Sequence, residues 1–144
     1  MASTVLLLDD QRDNLIILEN VIKQIGRGHA IGTVSFTCAQ EALAWCRHHE
    51  PILCLIDYKM PSMDGLQFMS AVRELPGFDR IPIVMITGVS EGSVREYALA
   101  CGATDYWTKP FDPQDVRRRL GAIIDQNIDR PIGSGSTDAT VGRA

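Results

Sequence analysis

Asp9-Asp10, Asp57, Thr87-Gly88 and Lys109-Pro110 each stand at the end of a short apolar run. Gathered in one crevice, they would supply three carboxylates, a hydroxyl and an ammonium. Three carboxylates a few ångströms apart cannot all ionise without positive charge beside them. A divalent hard cation satisfies them most simply. Mg²⁺ fits, because it accepts one or two carboxylates and keeps water or phosphate oxygens in its other positions. A cation, a free carboxylate, a hydroxyl and a lysine are the parts of a phosphoryl-transfer site, where catalysis is mostly positioning and charge neutralisation. In that reading Asp57 is the nucleophile and forms an aspartyl phosphate. Asp9 and Asp10 hold the metal, and Lys109 and Thr87 bind phosphoryl oxygens after transfer. Taken singly, each residue has a plainer role: an acid after a strand caps a helix, a threonine favours β geometry, a lysine is a solvated charge. The coincidence of all of them at strand ends is what points to chemistry.

The elements that must position them alternate along the chain. Val5-Leu6-Leu7-Leu8, Ile52 to Ile56 and Ile81 to Ile86 are apolar throughout, as strands covered on both faces are. Pro82 lies near the start of its run, where a missing N–H is tolerated. Thr33 to Phe36 alternate like an edge strand, and Thr104 to Thr108 form a short fifth strand. Between them, Leu15, Leu18, Ile22 and Ile25 recur at helical spacing, as do Ala42, Leu43 and Cys46. Leu66, Met69 and Val72 mark a third helix capped by Asp64. Val94, Tyr97, Ala98 and Cys101 mark a fourth, ended by Gly102. Asp112-Pro113 opens a fifth, carrying Val116, Leu120, Ile123 and Ile124. Five strands alternating with five helices predict an α/β, doubly wound, five-stranded parallel sheet with right-handed crossovers. Such sheets bind ligands beyond the carboxyl ends of their strands, where the reactive residues stand.

Composition sets the frame. The 144 residues carry 14 Lys+Arg and 18 Asp+Glu, a formal charge of −4, with 45% hydrophobic residues. That length suits one domain of roughly 100–200 residues, and the balance argues against nucleic acid or an anionic membrane as a partner. Cys38, Cys46, Cys54 and Cys101 show no C-x-x-C spacing and read as small buried hydrophobes in a reducing compartment. The first apolar run is too short for a signal peptide or a membrane span, so a soluble cytoplasmic protein is expected. Residues 1–127 are expected to form the domain. Residues 128–144, which include Gly133-Ser134-Gly135-Ser136-Thr137, read as a flexible tail or the start of a linker.

The blocks Leu7-Leu8-Asp9-Asp10, Leu55-Ile56-Asp57-Tyr58-Lys59-Met60-Pro61-Ser62-Met63-Asp64-Gly65, Ile83-Val84-Met85-Ile86-Thr87-Gly88 and Gly102-Ala103-Thr104-Asp105-Tyr106-Trp107-Thr108-Lys109-Pro110-Phe111 resemble the signature of response-regulator receiver domains of the CheY-like, flavodoxin-like kind. The resemblance runs from about Thr4 to Asn127. It implies a strand order 2-1-3-4-5 and a place in two-component phosphorelay signalling. Asp57 would take a phosphoryl group from a sensor histidine kinase or a phosphotransfer protein. Asp10, Asp57 and the backbone carbonyl of Lys59 would ligate Mg²⁺, with Asp9 acting through water. Thr87 would move onto the phosphoryl group and Tyr106 would swing inward behind it. The Lys109–Pro110 bond would be cis, which an X-Pro peptide tolerates. The readout would be a population shift of the face formed by the fourth helix, fifth strand and fifth helix, which also offers a homodimer surface. Tyr97, Tyr106 and the outer positions of Arg117, Arg118 and Arg119 lie on or near it. The arginines read equally as a solvated helix surface. The domain would catalyse only its own phosphorylation and dephosphorylation. It would be either stand-alone or the N-terminal part of a larger regulator, and Asp13-Asn14-Leu15 leans towards an output in cyclic-dinucleotide turnover.

Rival readings are weaker. Gly88-Val89-Ser90-Glu91-Gly92 spells a nucleophile elbow, but His29, His48 and His49 all precede the serine, against the chain order of that fold. Gly26-x-Gly28-x-x-x-Gly32 follows a helix, unlike a dinucleotide loop. A metal-dependent aspartyl-phosphate phosphatase would share Asp57, yet usually wants an acid where Lys59 stands. Trp107, next to Tyr106, should face the opposite side of the sheet and belong to the core. Val89 cannot orient an attacking water, so the phosphoryl group should be long-lived. Decay faster than a minute in the purified, Mg²⁺-bound protein would contradict that.

Overall fold

Side chains alternate across a strand, so a strand apolar at every position needs helices on both faces. β1 (Ser3–Leu8) is such a strand: Leu6 and Leu8 enter one core, Val5 and Leu7 the other, and all four are buried. The computed structural model describes residues 3–25, 31–88, 92–110 and 112–128. The expected tail lies outside them except for Ile128, as do Gly26, Gly28, His29, Val89, Ser90, Glu91 and Phe111.

After β1 come α1 (Arg12–Ile25), β2 (Ile31–Phe36), α2 (Ala39–Cys46), β3 (Leu53–Asp57), α3 (Gly65–Arg73), a 3₁₀ turn (Phe78–Arg80), β4 (Ile83–Thr87), α4 (Gly92–Ala100), β5 (Asp105–Thr108) and α5 (Pro113–Ile128). The sheet order is β2-β1-β3-β4-β5, every pair parallel. This is the doubly wound sheet the alternation predicts. On one face, α2, α3 and α4 cover Leu6, Leu8, Cys54, Ile56, Ile83 and Met85 with Ala42, Phe68, Met69, Val72 and Ala98. On the other, α1 and α5 cover Val5, Leu7, Leu55, Val84 and Ile86 with Leu15, Leu18, Ile22, Leu120 and Ile124. Each buried Val, Leu, Ile, Phe or Met among them contributes about 1.5–3 kcal/mol by leaving water, and the alanines less.

Tyr106 and Trp107 fall on opposite faces, as neighbours on a strand must: Tyr106 joins the first core and Trp107 the second. Asp105 accepts the Trp107 indole N–H at 2.7 Å, and the Arg119 guanidinium lies 5.5 Å from the ring centroid. Arg118 and Arg119 are both exposed and both pair with Asp115 on their own helix, but Arg119 also lies against the Trp107 ring and is therefore more than a solvated charge. All four cysteines are free. Burial pushes the Cys46 thiol up to about 11 and Cys54 higher still, so both stay protonated and act as apolar groups.

Local signals set the turns. Asp64 and Gln67 form a capping box: the Asp64 carboxylate accepts the Gln67 backbone N–H at 2.8 Å, and the Gln67 side-chain Oε1 accepts the Asp64 backbone N–H at 2.9 Å. Gly102 ends α4 with φ +120°, a conformation side chains disfavour. Arg73, at the end of α3, donates to the carbonyls of Phe78, Ile81 and Gly102 at 2.5, 2.7 and 2.5 Å. It ties the 3₁₀ turn and the α4–β5 connection to α3.

Gly65 lets α3 start directly beneath the end of β3. Its N–H donates to the Tyr58 carbonyl at 2.7 Å. A Cβ there would lie 2.4 Å from the Asp57 carbonyl oxygen and 2.8 Å from the Met85 sulfur. Gly65→Ala is therefore expected to lose about 1–3 kcal/mol in urea denaturation. Gly32→Ala, where a Cβ meets nothing within 4 Å, should lose far less.

Candidate functional site

The carboxyl ends of β1, β3, β4 and β5 converge on one patch. Asp57 and Thr87 are the last residues of their strands, and each is held in the ladder: Asp57 pairs with Ile86 and Thr87 with Thr108. Backbone bonds extend the same order past the strand ends. The Asp9 N–H donates to the Phe36 carbonyl at 3.1 Å, and the Lys109 N–H to the Thr87 carbonyl at 2.7 Å. Side chains leaving these points start from a rigid sheet. The Lys109–Pro110 peptide is cis.

Asp9, Asp57 and Thr87 are 4%, 7% and 1% exposed, the only polar side chains buried this deeply among the described residues. Asp10 is exposed and opens the patch to water. Oxygens of Asp9, Asp10 and Asp57 all lie within 4.8 Å of one another. Lys109 Nζ sits 2.9 Å from Asp9 Oδ2 and 3.4 Å from Asp57 Oδ1. Asp9, Asp10, Asp57 and Lys109 are thus brought together, and Thr87 ends the strand that lies between those of Asp57 and Lys109. Lys59 is exposed beside them, on a groove of about 460 Å³ lined by Asp10, Tyr58, Met60, Pro61 and Asp64. Tyr106 is buried under α4, while Tyr97 on α4 is 61% exposed. Two contributions are not apparent from spacing. Asn14, in the first turn of α1, donates to Asp9 Oδ2 at 3.2 Å, and the Gln11 N–H donates to Asp9 Oδ1 at 2.9 Å.

The electrostatics follow from crowding. Asp57 is pushed up from its ordinary 3.8 to about 6. Burial is the largest cause, the Asp9 charge the next; Lys109 opposes both, and Asp10 adds a smaller upward push. One ammonium for three carboxylates leaves the patch short of positive charge. The donor set is all oxygen, with one member open to solvent. Both features suit a small divalent cation that keeps part of its water.

The description "response regulator receiver domain" matches residues 5–121, and the chain belongs to that family. An acidic pocket of this kind is where receiver domains bind Mg²⁺. The chain is 35% identical over 120 residues to the cyclic di-GMP phosphodiesterase response regulator RpfG of Xanthomonas campestris pv. campestris, covering 83% of this chain and 31% of that protein. It is 36% identical over 114 residues to an uncharacterized 14.6 kDa protein of Leptolyngbya boryana, covering 79% and 84%. Chemotaxis protein CheY4 of Vibrio cholerae superposes with a TM-score of 0.77 at 25% identity, covering 85% of this chain and 99% of that one. The chain therefore spans under a third of its RpfG relative and nearly all of CheY4. Among the described residues no helix is long and apolar enough to cross a membrane.

The raised Asp57 value has a measurable consequence in metal-free solution. At low pH both folded and unfolded chains hold the Asp57 proton, and the residue carries no penalty. Between about pH 4 and 6 the unfolded chain gives it up first, so stability falls as pH rises. Above about pH 6 the whole penalty is present. Asp57→Asn never ionises. Its stability advantage over wild type should grow from about pH 4 to 6 and then level off at about 1–3 kcal/mol. Melting both proteins across that range checks this; a difference that does not change with pH would contradict it.

Proposed function

We propose that the domain is the phosphoacceptor of a two-component phosphorelay, with Asp57 as the acceptor. The observation that carries this is the buried Asp57 carboxylate, with Lys109 Nζ at 3.4 Å and two further acids within 4.8 Å. A carboxylate oxygen of Asp57 attacks the phosphorus of a phosphohistidine on a sensor kinase or phosphotransfer protein. The nitrogen–phosphorus bond breaks, and its electron pair leaves on the imidazole. Asp10, Asp57 and the Lys59 carbonyl would hold Mg²⁺, with Asp9 reaching it through water. The cation, when bound, supplies charge neutralisation between the carboxylates and the incoming phosphoryl group. Lys109 and the Thr87 hydroxyl take phosphoryl oxygens once Lys109 is drawn from Asp9. Lys59, a base two residues after Asp57, leaves no second carboxylate for efficient hydrolysis, which disfavours the phosphatase reading.

The readout in this proposal is a repacking of α4, β5 and α5. Thr87 and Tyr106 lie on adjacent strands, so a pull on Thr87 is felt where Tyr106 packs under α4. The exposed Tyr97 marks the α4 surface that would change, and a second copy of the chain is one partner it could meet. Residues 1–127 would form the switching unit, with 128–144 leading from it. The RpfG relative makes cyclic-dinucleotide turnover one output that the whole protein could control.

Acetyl phosphate with Mg²⁺ should add one phosphoryl group to the wild-type protein. Chelation should abolish the labelling, and Lys109→Ala should lower its rate about 100-fold or more, the usual size of a lost electrostatic donor. Asp57→Asn should remain unlabelled; labelling of that variant would overturn the assignment.

A further inference from the structure

Asp9 is the most heavily bonded acid of the trio. Oδ1 accepts the Gln11 N–H, and Oδ2 accepts both the Asn14 amide at 3.2 Å and Lys109 Nζ at 2.9 Å. A carboxylate oxygen has about two lone-pair sites. Oδ2 is therefore full, and Oδ1 keeps one site. Among the described residues Asp10 accepts no such bond, and it faces water.

We propose that Asn14 is a positioning residue for the cation: its amide fixes Asp9 facing Lys109, so that Asp9 does not compete as a direct metal ligand. This rests on the phosphoacceptor reading above. Asn14 suits the task for three reasons. It is neutral, so it adds a donor without adding positive charge that would repel the cation. It is half-buried and sits in the first turn of α1, where the Asn14 N–H donates to the Gln11 carbonyl at 3.1 Å and the next residue, Leu15, is 1% exposed. The amide thus comes from an anchored element. It also shares an acceptor atom with Lys109, so Asp9 stays oriented when Lys109 turns to the phosphoryl group. With Lys109 as its only donor, Oδ2 would be held less firmly even before transfer, free to turn towards the cation, and released altogether at that moment.

The choice matters for metal selectivity. Mg²⁺ keeps its water and needs few protein ligands, whereas Ca²⁺ gathers six to eight oxygens in flexible geometry. Releasing Asp9 should therefore favour Ca²⁺ relative to Mg²⁺. A merely structural asparagine would not change that ratio.

Titration of the full chain with MgCl₂ and, separately, CaCl₂, followed by amide chemical shifts, reads both affinities. Asn14→Ala is expected to weaken Mg²⁺ binding about tenfold, the usual cost of losing a partner that orients a metal-site carboxylate. Ca²⁺ binding should weaken less, so the Mg²⁺/Ca²⁺ preference falls, and the metal-free melting temperature should change little. Asn14→Gln keeps an amide donor and should retain the wild-type preference. It also decides the matter where the alanine variant folds poorly: a Gln variant shifted towards Ca²⁺ overturns the proposal. Wild-type affinity and preference in a folded Asn14→Ala overturn the role of Asn14 and leave the phosphoacceptor reading standing. Failure of the wild-type chain to bind Mg²⁺ overturns both.

Discussion

Three carboxylates whose oxygens lie within 4.8 Å repel one another, and two of them are almost out of water. The protein answers with one ammonium, Lys109, brought from the end of the edge strand β5. The balance is incomplete, and Asp57 takes up the difference by holding its proton to about 6. That shortfall makes the site receptive: a divalent cation or an incoming phosphoryl group with its cation finds a partly prepared place. Such a cluster costs stability, which two apolar cores must offset. The strands that carry the acids, β1 and β3, are accordingly deep in the fold, β1 buried from Val5 to Leu8 and β3 throughout.

The same arrangement supports the proposed switch. The strand ends are fixed by the ladder, so charge introduced at Asp57 cannot be absorbed by sliding the sheet. In the proposed readout it is passed instead to side chains at the ends of β4 and β5 and to the helices above them. On one face Tyr106 packs under α4. On the other, Trp107 and the Arg119 guanidinium join β5 to α5. A change at β5 therefore reaches both helices.

Much of this was legible in the sequence. Apolar runs ending in Asp, Asp, Thr and Lys determine the sheet and the place of the site, because strand periodicity and the carboxyl-end rule are local and topological. Asp64 as a cap and the opposite facing of Tyr106 and Trp107 follow from the same local rules. The contacts of Asn14 with Asp9, and of Arg73 with three carbonyls up to 29 residues away, were not legible. They depend on rotamers and on how closely one element approaches another, which residue spacing does not encode. Arg119 looked like one of three surface charges for the same reason: only the packed position of α5 puts its guanidinium over Trp107.

The central claim is that the buried, lysine-paired carboxylate of Asp57 is the group that takes phosphorus. Borohydride reduces an acyl phosphate to an alcohol, converting a phosphorylated aspartate into homoserine. The direct measurement is peptide mass spectrometry of wild-type protein treated with acetyl phosphate and Mg²⁺, then with borohydride. Homoserine is expected at position 57 alone, and absent when the metal is chelated. Homoserine at position 9 or 10, or phosphate retained on a histidine, would contradict it.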